Sequence, residues 1–391
     1  MSRRVLPSME AERQRFAREF SSVQRWLDGL GKLSGSELTR KRGLNALINF
    51  CKWTGKTPDE LIAERLRDLK SDDIQIRASH EDLVNKYFQT FKSRGMGCGV
   101  FDYLKSFYKH NYVPLLCRSP KRFRVTTEKI PTVAEIARMI EVADLRDKAI
   151  IAFLAQSGVR EGTLCKLTYG HVREDLQAGE KIIHFSVRAE EAKAGISYEG
   201  FAGPEAASLL KGYLTMREKG TAYMTPETLT DRSPLFRRRA KGIEPIKEDS
   251  VQILVYHRAI EANVIPPKSH LGEWAQIRPH CLRKFFQTRM EEAGLHVNWV
   301  KHLMGHKIRG SDAAYSKPTI RQLREAYEKA LPYITLDPAN AVAMDKDRTI
   351  RELRERLEKL ESIYVEVGVM KERIEALTAV MPKKRWLRKP S

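Results

Sequence analysis

The stretch LMGHKIRGSDAAYSKP, residues 303–318, places His306 nine residues ahead of Tyr315. A tyrosine so placed has two readings: it packs against a helix, or its hydroxyl attacks a phosphate. The second reading needs cations at hand, and the preceding sequence holds them. In RPHCLRKFFQTRM, His280 and Arg283 lie three apart at the start of a predicted helix, so they share one face. The unpaired N–H groups and the dipole of a helix N-terminus favour an anion there, and a histidine beside a guanidinium makes a competent phosphate grip. Arg283 leads in 23 residues to His306. Farther upstream, AQSGVREGTLCKL puts Arg160 just past a helix that Gly158 ends. Taken singly, each residue has a plainer role. Tyr315 reads as a packing residue, Arg160 as a cap on the last carbonyls of the preceding helix, and His306 as a helix-stop residue after Gly305. The chemical reading rests on their order and spacing together.

That combination resembles the tyrosine recombinase family, the phage-type integrases. The family's pattern is an Arg after a T/S-G-hydrophobic turn, a hairpin Lys, H-x-x-R, L-x-G-H and a nucleophilic Tyr. Here the elements read SGVR, EEAKAG, HCLR, LMGH and AAYSKP, in the family's order. The resemblance implies that Tyr315 attacks the scissile phosphorus, leaving a 3′-phosphotyrosyl bond and a free 5′-hydroxyl. Such a covalent step conserves the phosphodiester's energy, so no ATP, metal or other cofactor is implied. Arg160 and Arg283 would clamp the non-bridging oxygens as charge grows in the transition state. His280 and His306 would donate hydrogen bonds to the phosphate, one of them also taking the tyrosine's proton. Lys193, on the hairpin loop, would protonate the leaving 5′-oxygen, with Lys181 and Lys211 as reserves.

The function implied is that of a site-specific DNA recombinase, an integrase of a mobile element. It would act on double-stranded DNA at attachment sites, as a homo-oligomer: a dimer on one site and a tetramer at synapsis. One alternative is a type IB topoisomerase-like enzyme, against which His280 argues, because that family usually has Lys in its place. Another is an architectural DNA-binding protein on the same fold, which would be expected to have lost a reactive side chain. Two departures from the family pattern stand out. Many relatives carry an acidic residue three beyond the first arginine, where this chain has Thr163, with Glu161 as a possible substitute. The separation of Arg160 from His280 is also longer than in compact members, which implies an enlarged loop around SHLGEWAQI.

The rest of the chain is consistent with that chemistry. A formal charge of +20 over 391 residues favours a polyanion, and nucleic acid leads over an anionic membrane surface. No run is apolar enough for a membrane span and the N-terminus has no signal-type core, so a cytoplasmic location is expected. Five scattered cysteines without a C-x-x-C pair read as reduced thiols, and make a metal site improbable.

The expected fold is mainly α with a small antiparallel β-sheet, arranged as a two-domain DNA clamp with a C-terminal coiled-coil-like helix. Residues 1–117 read as a helical core-binding domain. Within it, Ser36 is a candidate cap, and Thr57, Pro58 and Glu60 open a helix as a capping box. Residues 118–130 form a basic linker in which Lys121, Arg122 and Arg124 would touch DNA. Residues 131–336 read as the catalytic domain. Its capping box is Thr132 and Glu135, its strands are KIIHFSV and ISYEGFA, and later helices cover 204–219, 248–261, 281–294 and 318–330. Tyr327 in the last helix and Tyr333 past its end read as structural. Residues 337–391 carry an apolar stripe from Ile350 to Leu377 at steps of three and four, ending in a basic tail. Such a stripe pairs with another chain or folds back on its own body, and self-association is the expectation.

Overall fold

The computed structural model describes residues 9–33, 37–122, 128–222, 224–239, 242–269, 275–308, 318–337 and 353–374, the last without 355 and 365. The contacts divide the chain into two compact units, Met1–Val125 and Thr126–Ser391.

Among the described residues the first unit has six helices: α1 Met9–Glu19, α2 Ser21–Leu33, α3 Glu37–Thr54, α4 Pro58–Asp68, α5 Ile74–Gln89 and α6 Arg94–His110. Helix α4 starts where its sequence dictates. Thr57 caps Glu60 N–H, the Glu60 carboxylate returns to Thr57 N–H at 2.8 Å, and Pro58 occupies the first turn. The apolar faces close on a core of Trp26, Leu47, Phe50, Leu61, Phe101 and Phe107. Ser36 lies outside the described residues.

The second unit is helical around one two-stranded sheet. In order come α7 Val133–Glu141, α8 Leu145–Ser157, α9 Glu161–Leu164, α10 Arg173–Ala178, β1 Ile183–Val187 and β2 Tyr198–Ala202. They are followed by α11 Pro204–Lys219, α12 Glu248–Glu261, α13 Pro279–Glu292, α14 Val297–Leu303 and α15 Ile320–Ile334. Strands β1 and β2 pair antiparallel, with Ile183 opposite Ala202 and Val187 opposite Tyr198. From Ala149 to Ala155 helix α8 is apolar all round and buried to 1% exposure or less. It is therefore the axis of the unit, packed by α11 on one side and α13 on another. That placement matters for the site, because α8 ends at Gly158, two residues before Arg160.

Two expectations need correction. The last body helix starts at Ile320, with Thr319 and Gln322 forming a capping box, and runs on to Ile334 with Pro332 inside it. A proline so close to the C-terminal end forfeits few backbone bonds, and the burial of Ala330 and Ile334 carries the helix through it. Tyr333 is thus within the helix, not past its end. Helix α13 also begins two residues earlier than expected, at Pro279, a favoured first-turn position.

Residues 353–354, 356–364 and 366–374 are helical, and all of them are exposed. Leu353, Leu357, Leu360, Ile363, Val367, Met370 and Ile374 remain uncovered, so this helix is not folded back on its own body. No helix among the described residues is long and apolar enough to cross a membrane.

Candidate active site

Arg160 and Arg283 meet on one carbonyl. Arg283 Nη2 donates to Met304 O at 2.7 Å, and Arg160 Nη1 donates to the same oxygen at 3.4 Å and to Gly305 O at 3.0 Å. Arg283 Nη1 also donates to Gly158 O, and its Nη2 reaches His306 Nε2 at 2.8 Å. The turn after α8, the start of α13 and the Leu303–His306 turn are thereby drawn together, although they lie far apart in the chain. Arg160 does not cap the helix before it. It reaches across to the turn that carries His306.

Glycine is required at both turns. Gly158 and Gly305 each have φ of 60°, in the left-handed region. A Cβ on Gly158 would come within 2.3 Å of the Phe286 ring, and one on Gly305 within 2.4 Å of the Tyr198 ring. These close approaches let α8 and the Leu303–His306 turn seat directly on their neighbours and hold their carbonyls against the guanidiniums.

The electrostatics of this pocket are unbalanced. Five arginines among the described residues are buried: Arg65, Arg146, Arg217, Arg237 and Arg283. The first four are ion-paired, with Glu81, Asp147, Glu227 and Glu227 respectively. Among the described residues Arg283 has no carboxylate within ion-pair distance, and neither has the half-buried Arg160. Burial, with the Arg160 charge beside it, pushes the Arg283 guanidinium down to about 9. Burial likewise lowers Arg160. Among the described residues these two cations are held by carbonyl oxygens and a neutral ring, an arrangement whose charge an anion could balance.

His306 reports the same field. Burial, then Arg283 and Arg160, hold its imidazole down to about 4. It is therefore neutral at pH 7 and accepts from Arg283 through Nε2, which leaves its proton on Nδ1. A histidine depressed in the folded state contributes stability that is complete above its ordinary value and is lost as pH falls toward the folded one. In the DNA-free protein the His306 ring protons are expected to titrate near pH 4 by NMR. A midpoint at or above the ordinary 6.5 would show that the two arginines do not face it.

His280 stands exposed in the first turn of α13. Partial withdrawal from water and the Lys284 ammonium lower its pKa, while Glu128 pulls the other way. Lys193 is exposed on the hairpin loop between β1 and β2, and among the described residues it makes no bond to the arginines or histidines. The base of that loop is held nonetheless: Lys166 Nζ donates to Glu190 O at 3.3 Å and Glu191 O at 3.2 Å, and Glu191 accepts from Arg188 N–H at 2.9 Å. Tyr315 lies outside the described residues. So does Arg124 of the linker, whereas Arg122 pairs with Asp102 and Lys121 is exposed. The structure thus gathers Arg160, Arg283 and His306 into one bonded cluster with His280 nearby, and does not bring Lys193 into it.

Comparison with known proteins decides the family. Residues 124–319, half of the chain, match the sequence profile described as the Phage integrase family. The chain belongs to the phage integrase family. Its members are tyrosine recombinases, enzymes that break and rejoin DNA strands. Among curated relatives, tyrosine recombinase XerA of Pyrococcus horikoshii is 28% identical over 239 residues, covering 59% of this chain and 72% of the relative. Tyrosine recombinase XerC of Thermodesulfovibrio yellowstonii is 26% identical over 300 residues, covering 75% and 88%. A solved XerA recombinase structure is 22% identical, covers 79% of this chain and 97% of its own, and gives a TM-score of 0.36.

Within this integrase family member, two supporting residues escaped sequence reasoning. Tyr198 on β2 is buried against Gly305, with its hydroxyl in the field of Arg283 and Arg160 and beside Thr163. Thr163, at the position where many relatives have an acid, is 2% exposed and so packs beneath the site rather than lining it. Glu161 is engaged elsewhere, accepting from Gln252 at 3.0 Å. The only sequence sign of Tyr198 was its inward place in the strand alternation. Glu128, the other missed residue, had no sign at all.

Proposed function

We propose that the protein is a site-specific DNA recombinase that cuts and rejoins duplex DNA through a 3′-phosphotyrosyl intermediate. The observation that carries this reading is the pair Arg160 and Arg283, converging on Met304 O with no carboxylate among the described residues to balance them. A scissile phosphodiester supplies the missing charge, and the pair then meets the extra negative charge of the transition state without reorganising. Tyr315 Oη attacks phosphorus, the P–O5′ bond breaks, and the tyrosyl ester forms. The phenolic proton passes to His280 or His306. Lys193, which the loop would have to swing inward, returns a proton to the 5′-oxygen. Attack by a partner strand's 5′-hydroxyl reverses the step and completes the exchange.

In this reading the units Met1–Val125 and Thr126–Ser391 serve as the two halves of a clamp on DNA, with Lys121, Arg122 and Arg124 gripping phosphates between them. Arg122 would exchange Asp102 for a phosphate to do so. The test needs no known site. The protein is mixed with supercoiled plasmid and quenched in detergent, and protein-linked DNA with 5′-hydroxyl ends is the expected product. No adduct, even on DNA carrying the native attachment site, would move the reading to an architectural protein. The setting we propose is a mobile element. The XerA and XerC relatives favour a chromosomal recombinase as the second reading, and sequencing adduct ends recovered from host DNA separates the two.

Assembly as a dimer on one site and a tetramer at synapsis is part of the same proposal, supported by the uncovered apolar stripe at 353–374. Deleting 345–391 is expected to weaken multimers more than it weakens cleavage. Unchanged mass by light scattering, with and without DNA, would reject that role.

A further inference from the structure

Two residues ahead of Lys193, one carboxylate ties the hairpin loop to the body of the second unit. Glu191 accepts the Arg188 N–H at 2.9 Å and the Arg188 guanidinium at 3.0 Å. These bonds close a turn in which Glu191 N–H and Ala192 N–H both donate to Arg188 O, at 3.0 and 3.1 Å. On its other side Glu191 Oε1 faces His171 Nε2 at 3.4 Å. The His171 ring is itself fixed. Its Nδ1 accepts from Thr168 N–H at 3.1 Å, so a ring proton stands on Nε2, toward the carboxylate. Thr168 is anchored in turn, since its neighbours Leu167 and Tyr169 bond Leu235 and Ser233 through the backbone at 2.8 Å each. Burial opposes ionisation of Glu191, but the bonds from Arg188 and the nearby His171 hold its pKa below the usual carboxylate range.

Two features tie this anchor to Lys193 in particular. Ala192 is buried while Lys193 after it is exposed, so the chain turns outward at the reacting residue. Gly195 N–H then donates to Ala192 O at 3.0 Å, closing a tight turn with Lys193 at its second position. The two adjacent glutamates also differ. Glu190 is exposed and offers its carbonyl to Lys166, whereas the Glu191 side chain turns inward and is 13% exposed. A fixed base with a short tip leaves the Lys193 ammonium a small volume in which to find the 5′-oxygen.

We propose that Glu191 is a positioning residue for Lys193: with Arg188 and His171 it fixes the base of the loop, so that the ammonium meets the leaving 5′-oxygen. The inference rests on the reading of Lys193 as the acid of a DNA recombinase. In that step the P–O5′ bond breaks and its electron pair goes to O5′. The proton of Lys193 passes to the same oxygen, leaving a neutral amine and a 5′-hydroxyl. Glu191 touches neither reacting atom, so its loss is felt through the proton transfer.

The test replaces the 5′-bridging oxygen by sulfur at the cleavage position mapped from plasmid adducts. A thiolate leaves without a proton, its thiol having a pKa of about 8.5 against about 15.7 for water, so a defect in acid catalysis disappears on that duplex. Full-chain wild type, Lys193→Ala, Glu191→Ala, the double variant and Glu190→Ala are compared on both duplexes in single-turnover adduct assays. On ordinary DNA, Lys193→Ala is expected to slow adduct formation by about 10²–10⁴-fold and Glu191→Ala by about 10- to 100-fold, with Glu190→Ala unchanged. Sulfur is expected to return both slow variants to within about threefold of wild type. The double variant is expected to match Lys193→Ala on ordinary DNA, because the two residues act as a unit. Lys166→Met decides the matter should Glu191→Ala fold poorly, since Lys166 is exposed and its ammonium holds the Glu190 and Glu191 carbonyls. Its defect, about three- to tenfold, is expected to vanish with sulfur as well. Wild-type speed of Glu191→Ala on ordinary DNA, a defect that persists with sulfur, or a double variant slower than Lys193→Ala by the whole Glu191 factor would overturn the proposal while leaving the recombinase reading standing. Failure of sulfur to rescue Lys193→Ala would remove the acid assignment and the proposal with it. No adduct from the wild type on either duplex would remove the recombinase reading too.

Discussion

Arg283→Gln is expected to leave DNA affinity within a few-fold of wild type, slow adduct formation by about two to four orders of magnitude, and leave thermal stability unchanged or raised. The three parts follow from one geometry. Arg283 is 3% exposed and donates to Gly158 O, Met304 O and His306 Nε2, with no carboxylate among the described residues in ion-pair reach. With so little of it exposed, it is expected to contribute little to the overall phosphate grip. Its charge counts most when the phosphorus becomes pentavalent and the non-bridging oxygens gain charge. In the free protein that same charge is a burden, since burial and Arg160 push the guanidinium down to about 9. The glutamine amide keeps a donor for one carbonyl and removes the buried charge.

Arg217→Gln is the contrasting control. Arg217 is fully buried and shares Glu227 with Arg237, so its loss leaves that carboxylate one cation of two and takes the donor from the Pro234 and Leu235 carbonyls. A cost of about 2–4 kcal/mol is expected there, from buried acceptors left without a donor. Single-turnover adduct assays and thermal melts on both variants check the contrast. A melting temperature for Arg283→Gln that falls as far as that of Arg217→Gln would show that Arg283 is a structural residue and not a stored cation.

The second large effect concerns Tyr315. Tyr315→Phe is expected to bind DNA as wild type does and to give no covalent adduct at all, because it removes only the oxygen that becomes the ester. The described tyrosines nearest this chemistry make weak rivals. Tyr327 is wholly buried, and its hydroxyl donates to Gln156 O at 2.7 Å. Tyr198 lies close to both arginines, yet it is buried in β2 beneath Gly305, where a DNA strand has no entry. Tyr198→Phe is accordingly expected to retain adduct formation, losing at most about tenfold through looser support of the arginines. Detergent-resistant adducts resolved on a gel distinguish the three proteins. Cleavage retained by Tyr315→Phe would sink the nucleophile assignment, and its loss in Tyr198→Phe alone would transfer that role.

What the sequence determined by itself was local. Thr57 and Thr132 start their helices because a hydroxyl three residues ahead of a glutamate satisfies free N–H groups within one turn. Residues 183–187 alternate as a half-buried strand must, whereas 198–202 are buried at four of five positions, and the order of SGVR, HCLR and LMGH is itself a linear signal. Helix ends were less legible. The last body helix was expected to end at 330, but packing of Ala330 and Ile334 carries α15 through Pro332, since tertiary burial outweighs the loss of a terminal backbone bond. The tertiary structure alone decided that Arg160 and Arg283, 123 positions apart, share one carbonyl. It likewise decided that, among the described residues, four buried arginines found carboxylates while Arg283 did not, and that Glu128 lies against Lys284. The physical reason is range. Capping and alternation are satisfied within a few residues, whereas charge balance depends on which distant groups the packing of α8, α13 and the Leu303–His306 turn brings within a few ångströms, and no short pattern encodes that distance.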